Sequence, residues 1–277
     1  MSRPYWLPLA ALLALAFTLQ GCSVFGKEED KTRDWSAQKL FVEATDAMSE
    51  SDYERAIDLY EKLEARYPFG KYAMQAQLNV AYAYYRYLEP ESAIAATERF
   101  INLYPNNPAT AYALYLKGLV NFNRNLSFMD RFIPTDQAQR DPGASVDAYK
   151  DFAELVRRFP DTEYAEDARK RMIYLRNNLA RHEAQVARYY IDRGAYAAAA
   201  NRAKYVVENY QRTPAVKDAL VAMIIAYEKL GLPELARDAE RVLALNEAQG
   251  NFVADPRDLE EKSWSGDVWD YFGLDKN

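Results

Sequence analysis

Cysteine and histidine are almost missing from this sequence, with one of each among 277 residues. A lone Cys closes no intramolecular disulfide, and one Cys with one His cannot furnish a zinc site or a Cys/His nucleophile. No Ser/His/Asp elbow, phosphate-cradling Gly-rich loop or metal motif occurs, and no paired carboxylates stand in a glycosidase-like context. The expectation is a protein that is not an enzyme and holds no metal or cofactor. Glycine is scarce too: 10 residues are about half the usual share of roughly 7%. Long apolar runs are absent beyond the first 21 residues, so no spanning helix is expected after them. What fills the sequence instead is Ala, Leu, Glu and Arg, with 22 Tyr, a composition that favours helix.

The first 21 residues have the layout of a secretory signal: Arg3, an apolar run from Leu7 to Leu19, and a small residue, Gly21, at its end. The run is too short to span a bilayer, which takes about 20 apolar residues. The only thiol, Cys22, directly follows Leu19-Gln20-Gly21, a tetrapeptide that resembles the bacterial lipobox. This predicts a lipid anchor at Cys22, with diacylglycerol on sulfur and an acyl chain on the new amino terminus. Several chains anchor a protein stably where one does not. Ser23 stands where an Asp would retain the protein at the inner membrane, so the expected place is the periplasmic face of the outer membrane. Residues 22–36 read as the acylated Cys and a flexible linker, with Glu28, Glu29 and Asp30 as a solvated tether.

From there the chain repeats itself. Asp52–Pro68 written above Pro90–Pro105 aligns Ala56 with Ala93, Leu63 with Phe100, Tyr67 with Tyr104 and Pro68 with Pro105, at an offset of 37 residues. Further copies place Ala148, Phe152, Leu155 and Pro160, then Ala199, Val206 and Tyr210, then Ala236 and Leu243. Twelve residues before the second-helix Ala lie Ala44, Ala81 and Ala187; in the third copy the small residue is Gly118, and in the fifth Ile224 takes the place. These spacings resemble the tetratricopeptide repeat, a helix-turn-helix with small residues where its helices touch. The predicted fold is all-α, an α-solenoid of five such repeats over residues 37–247. Stacked repeats make a concave surface suited to binding peptides and partner domains.

The pattern breaks in three places. Asn121–Asp141 interrupts the third copy with Leu126, Phe128, Met129, Phe132 and Ile133, and reads either as a partner contact or as a loop folded over its own solenoid. Asp141-Pro142 reads as an N-cap with Pro at the first helical position. Glu163–Arg193 has neither Gly nor Pro and predicts one helix of about 30 residues, capped at Asp161 or Thr162. Between Arg169 and Lys204 nine basic side chains face two acidic ones, either a solvated face or a docking surface for an acidic partner; the export signal argues against nucleic acid. His182, in this helix, reads as a packing or surface residue. Residues 248–277 are an acidic tail with Trp264, Trp269, Tyr271 and Phe272, expected to be disordered. Tyr82, Tyr84, Tyr85 and Tyr87 crowd one helix, so some of them line a groove or meet solvent.

Taken together, the signal, the repeats and the insertion resemble the BamD (ComL) family of outer-membrane β-barrel assembly lipoproteins. The residues that carry this are Arg66-Tyr67-Pro68-Phe69-Gly70 with Tyr72, Tyr82-Ala83-Tyr84-Tyr85, Arg99-Phe100-Ile101, Arg140-Asp141-Pro142, Lys170-Arg171 with Leu175, Arg193-Gly194-Ala195-Tyr196 and Asn201-Arg202. The resemblance covers Cys22 to about Leu245. It implies a subunit of the BAM complex that binds unfolded outer-membrane proteins and docks the POTRA domains of BamA and other BAM lipoproteins. On this sequence it implies a substrate-peptide groove near Phe69, Tyr72, Tyr82 and Tyr85, and a BamA-docking face at Arg188, Arg193 and Arg202. A repeat scaffold of another envelope assembly complex is the competing expectation.

Overall fold

Residues 30–124, 138 and 141–252 are described by the structure, a computed structural model. Cys22 and the signal, most of the insertion, and residues 253–277 of the tail lie outside the described residues. The described chain folds into ten helices: α1 (Ala37–Ser49), α2 (Tyr53–Arg66), α3 (Lys71–Arg86), α4 (Pro90–Leu103), α5 (Thr110–Asn123), α6 (Gly143–Arg158), α7 (Glu163–Asp192), α8 (Tyr196–Asn209), α9 (Ala215–Lys229) and α10 (Pro233–Ala248). Described residues contain no strand. Each helix packs on the next, as expected of an all-α solenoid.

The turns inside the pairs share one geometry. Ser51, Leu88, Gly194 and Gly231 adopt φ of 62°, 64°, 71° and 70°. The N–H of the following residue reaches back five positions in every case: Asp52 to Ala47, Glu89 to Tyr84, Ala195 to Tyr190 and Leu232 to Tyr227, each at 2.9 Å. This is the left-handed helix ending in which a 6→1 bond satisfies an otherwise orphaned carbonyl. Two of the four positions are Gly; Ser51 and Leu88 carry a Cβ where glycine would sit without strain. The second helices stop differently. Tyr67, Tyr104 and Phe159 cap α2, α4 and α6 at φ of −130°, −129° and −135°. In all three the next residue is Pro, which pushes its predecessor out of the helical region.

The small residues read from the repeat sit at the helix contacts. Ala44, Ala81, Ala187, Ala56, Ala93, Ala148 and Ala199 are fully buried, and so are Leu63, Phe100, Phe152, Leu155 and Val206. Gly118 of α5 lies flat against the Phe152 ring. The fifth copy departs: Ile224 is only half-buried, and Ala222 and Ala226 are the buried small residues of α9.

Helix α7 is the 30-residue helix expected, with Thr162 as its cap, the hydroxyl accepting from the N–H of Ala165 at 3.3 Å. At about 1.5 Å per residue it is roughly 45 Å long. Ala168 and Leu175 in its first half join the apolar cluster of α5 and α6, and Ala180, Ala184 and Ala187 in its second half join that of α8 and α9. No contact joins α1–α6 to α8–α10 except through α7 among the described residues.

Three sequence expectations need correcting. Residues 30–36, counted as linker, are held against α2: Arg66 binds Asp30 and Thr32, and the Tyr67 hydroxyl donates to the Trp35 carbonyl at 2.9 Å. Asp30 is thus an exposed ion-pair partner of Arg66, the last residue of α2, and not an unattached tether residue. The helix after the insertion starts one residue later than read: the Pro142 carbonyl accepts the first helical bond, from Val146 at 2.9 Å, while Asp141 accepts from Gly143 at 3.3 Å in a local turn. Finally, α5 runs through Asn121 to Asn123, residues read as part of the interruption, because Asn121 is buried and bonded to α6.

Candidate functional site

Helices two apart in the chain touch only along one row. Contacts join α1 to α3, α3 to α5, α5 to α7 and α7 to α9, whereas no two even-numbered helices meet among the described residues. An array whose odd helices crowd while its even helices splay must curve with the odd row inside. Side chains on α1, α3, α5 and α7 therefore face one groove.

That row is tyrosine-rich. The Tyr72 ring on α3 packs on Phe41 of α1, centroids 5.3 Å apart. One face further along α3, Tyr82 and Tyr85 stand 6.4 Å apart. Tyr112 of α5 packs against the same buried cluster as they do and lies 5.7 Å from Tyr164 of α7, which in turn is 5.3 Å from Tyr115. Within each of these pairs the tilted geometry satisfies the quadrupole edges of the rings.

The hydroxyls of this surface are anchored. Arg86 donates to the Tyr82 oxygen at 2.8 Å, and Asn123 of α5 donates to the Tyr85 oxygen at 2.7 Å. The Arg86 guanidinium also covers the Tyr53 ring at 5.0 Å. Burial raises the pKa of Tyr82, Tyr85 and Tyr112 above the ordinary 10.0. All three remain neutral hydroxyls in neutral solution, able to donate to a bound backbone carbonyl. Arg86 supplies a cation beside an apolar surface, which is what an extended peptide with a terminal carboxylate requires.

The four sequence-predicted groove residues do not form one cluster. Tyr82 and Tyr85 meet each other; Tyr72 lies on the same helix against Phe41. Phe69 stands apart in the α2–α3 turn, 91% exposed, beside Gly70 at φ 103°. Tyr84 turns to Glu61 of α2 and Tyr87 is exposed at the helix end, so the crowded tyrosines of α3 are shared between groove, helix pair and solvent.

At the far end of α7 the basic candidates also divide. Arg188 is 71% exposed, 3.7 Å from Asp192, and lines a cleft between α7 and α9. Arg193 lies over the Tyr189 ring at 5.1 Å. Arg202 of α8 grips Glu183 through both carboxylate oxygens, at 2.9 and 3.2 Å. Positions 183 and 188 lie about 140° apart around α7 at 100° per residue, so Arg202 and Arg188 look in different directions. Arg171 leaves the basic surface altogether. It is 2% exposed, bonded to Asp167 and stacked 5.0 Å over Phe122. Tyr115 donates to the same Asp167 at 2.7 Å.

Sequence reasoning missed Arg86, Tyr112 and Tyr164, and it counted the buried Arg171 with the basic surface. Arg86 had a signal, its spacing of four from Tyr82 on one helix face; the others depend on how α5 and α7 meet. His182 serves packing. Its Nδ1 donates to the carbonyl of Ala138 at 2.7 Å, and Ala138 is 2% exposed, which pins this point of the insertion onto α7.

With the geometry described, similarity to known proteins can be stated. The chain matches the YfiO family, described as an outer membrane lipoprotein, over residues 33–242. It is 44% identical over 263 residues to the outer membrane protein assembly factor BamD of Neisseria meningitidis serogroup A, covering 94% of this chain and 97% of that one. The BamD of Vibrio cholerae serotype O1 is 35% identical over 86% of this chain and 97% of its own. A crystal structure of MamA aligns at a TM-score of 0.31 with 16% identity, over 75% of this chain and 95% of that one; the fold assignment rests on the helix packing itself. The chain belongs to the YfiO family of outer membrane lipoproteins, whose curated members similar to it are the BamD assembly factors.

Proposed function

We propose that the protein is the lipid-anchored, periplasm-facing BamD subunit of the β-barrel assembly complex. It binds unfolded outer-membrane proteins in the groove of the odd-numbered helices and docks BamA at its C-terminal end. Family membership supports the role in outer-membrane assembly. The single structural observation that carries the binding role is the tyrosine row from Tyr82 to Tyr164 with Arg86 at its edge. Tyrosine offers flat area and a hydroxyl at low entropic cost, which suits varied peptides with a shared aromatic end. Phe69, Tyr72, Tyr82 and Tyr85 remain the proposed contacts, with Tyr112 and Arg86 added. Cys22 is the proposed anchor; no helix among the described residues is long and apolar enough to cross a membrane.

Docking of BamA is assigned to Arg188, Arg193 and Arg202. Since Arg188 and Arg202 diverge around α7, the partner contacts an edge of the array from two sides. Photocrosslinking from position 69 or 85 tests the groove. Capture of nascent barrel C-termini is expected, and capture of one folded protein alone would instead support a scaffold of another envelope complex.

A further inference from the structure

Between α7 and α9 lies a cleft of about 290 Å³. Ile191, Val221 and Ile225 floor it, with Arg181 and Arg188 on one rim and Asp218 on the other. Val221 is 37% exposed and Ile225 half-buried, so the floor is apolar surface open to an occupant. The volume is at the bottom of the roughly 300–1,000 Å³ range of small-molecule sites and suits one large side chain. Two cations beside such a floor select an aromatic side chain flanked by carboxylates.

The chain itself carries such a segment, and the described structure ends against α9, the helix that forms one wall of the cleft. Helix α10 stops at Ala248, and the chain turns back so that the Phe252 ring lies 6.0 Å from Lys217 of α9, the residue before Asp218. Residues 253–277 follow, with seven acidic and three basic side chains and two of the four Trp of the chain. Trp269 has Asp267 and Asp270 on either side. It lies seventeen positions beyond Phe252, a reach of up to about 55 Å at 3.3 Å per residue, against roughly 10 Å of α9 between Asp218 and Ile225.

We propose that the C-terminal segment of this chain docks in its own α7–α9 cleft, Trp269 on the apolar floor and Asp267 and Asp270 toward Arg181 and Arg188. The segment then covers Arg188, so a partner that needs this end of the array must displace it. The proposal stands on the cleft, the charges and the exit point of the chain, and holds or fails independently of the groove on α3 and α5.

A photoreactive residue at Val221 in the full chain tests this with the tail intact. The expected product is an intramolecular crosslink to the peptide containing Trp269, its yield independent of protein concentration. Arg188→Glu or Trp269→Ser should each lower that yield roughly two- to five-fold, the range of an exposed pair or a single anchor worth up to about 1 kcal/mol. A yield that rises with protein concentration assigns the cleft to a second copy. Either that result or the absence of a tail crosslink overturns the proposal.

Discussion

Gly118 of α5 and Phe152 of α6 touch so closely that a Cβ at position 118 would lie 2.5 Å from the ring Cε1. The ring is fully buried and has no room to retreat. Helix propensity favours Ala over Gly by about 1 kcal/mol, yet the methyl group would overpack the core at about 1–3 kcal/mol. Gly118→Ala is therefore expected to lower stability by up to about 2 kcal/mol in urea unfolding, despite its better helix propensity. Adding Phe152→Leu should cost less in that background than in the wild type, a coupling read from the double-mutant cycle.

Leu88 gives the opposite case. It holds φ at 64° and is 85% exposed, so it bears left-handed strain of about 1–2 kcal/mol and contributes little burial in return. Glycine removes the strain and adds about 0.5–1 kcal/mol of unfolded-state entropy. Leu88→Gly should raise the melting temperature slightly, whereas Gly194→Leu at the equivalent turn should lower it.

The buried guanidinium of Arg171 predicts a large effect from a single truncation. Arg171→Ala strands Asp167 beside Tyr115 and should cost about 3–5 kcal/mol. Replacing the pair together, as Arg171→Met with Asp167→Asn, should cost much less, because no unpartnered charge is left. Denaturant midpoints of the two variants decide it.

Asp151 makes stability depend on pH. Its carboxyl is 7% exposed, bonded to Asn121 at 2.8 Å and to Lys117 at 3.2 Å, with Lys117 also on Glu98 of α4. Burial raises its pKa above the ordinary 3.8, against the pull of Asn121 and Lys117. The folded state thus holds this proton more tightly than the unfolded one. Its contribution falls as pH rises from the unfolded value through the folded value and is level above. The stability of the wild type minus that of Asp151→Asn should decline across that window; a difference that rises with pH contradicts the assignment.

Arg202 allows a charge swap. Arg202→Glu removes a proposed docking cation and sets two carboxylates against each other at Glu183. Glu183→Arg with Arg202→Glu restores the internal pair with its polarity reversed. If BamA reads the charge at position 202, its recovery should fall roughly two- to five-fold in both variants, while thermal stability recovers only in the swap.

The repeat was legible because close helix contacts admit only small residues: Ala44, Ala56, Ala81 and Ala93 announce the first two pairs, and Gly118 the third. Pro68, Pro105 and Pro160 likewise announce the ends of second helices. The groove was legible in part. Tyr82 and Tyr85 belong to one helix, so their spacing could be read, but Tyr112 and Tyr164 join them only through the meeting of α5 and α7. Arg171 looked like its basic neighbours in sequence; Phe122 and Tyr115, some fifty residues earlier, are what bury it. Arg188 and Arg202 were grouped by charge, and helix geometry separates them.

Since among the described residues α7 alone connects the first six helices with the last three, the number of residues between Leu175 and Ala180 works as a phase setting. One added residue there would turn the whole C-terminal end by about 100° about the helix axis and advance it by about 1.5 Å; four would turn it by about 40°. The angle between the tyrosine groove and the Arg188 cleft is thus written as a residue count, open to adjustment in steps without altering either surface.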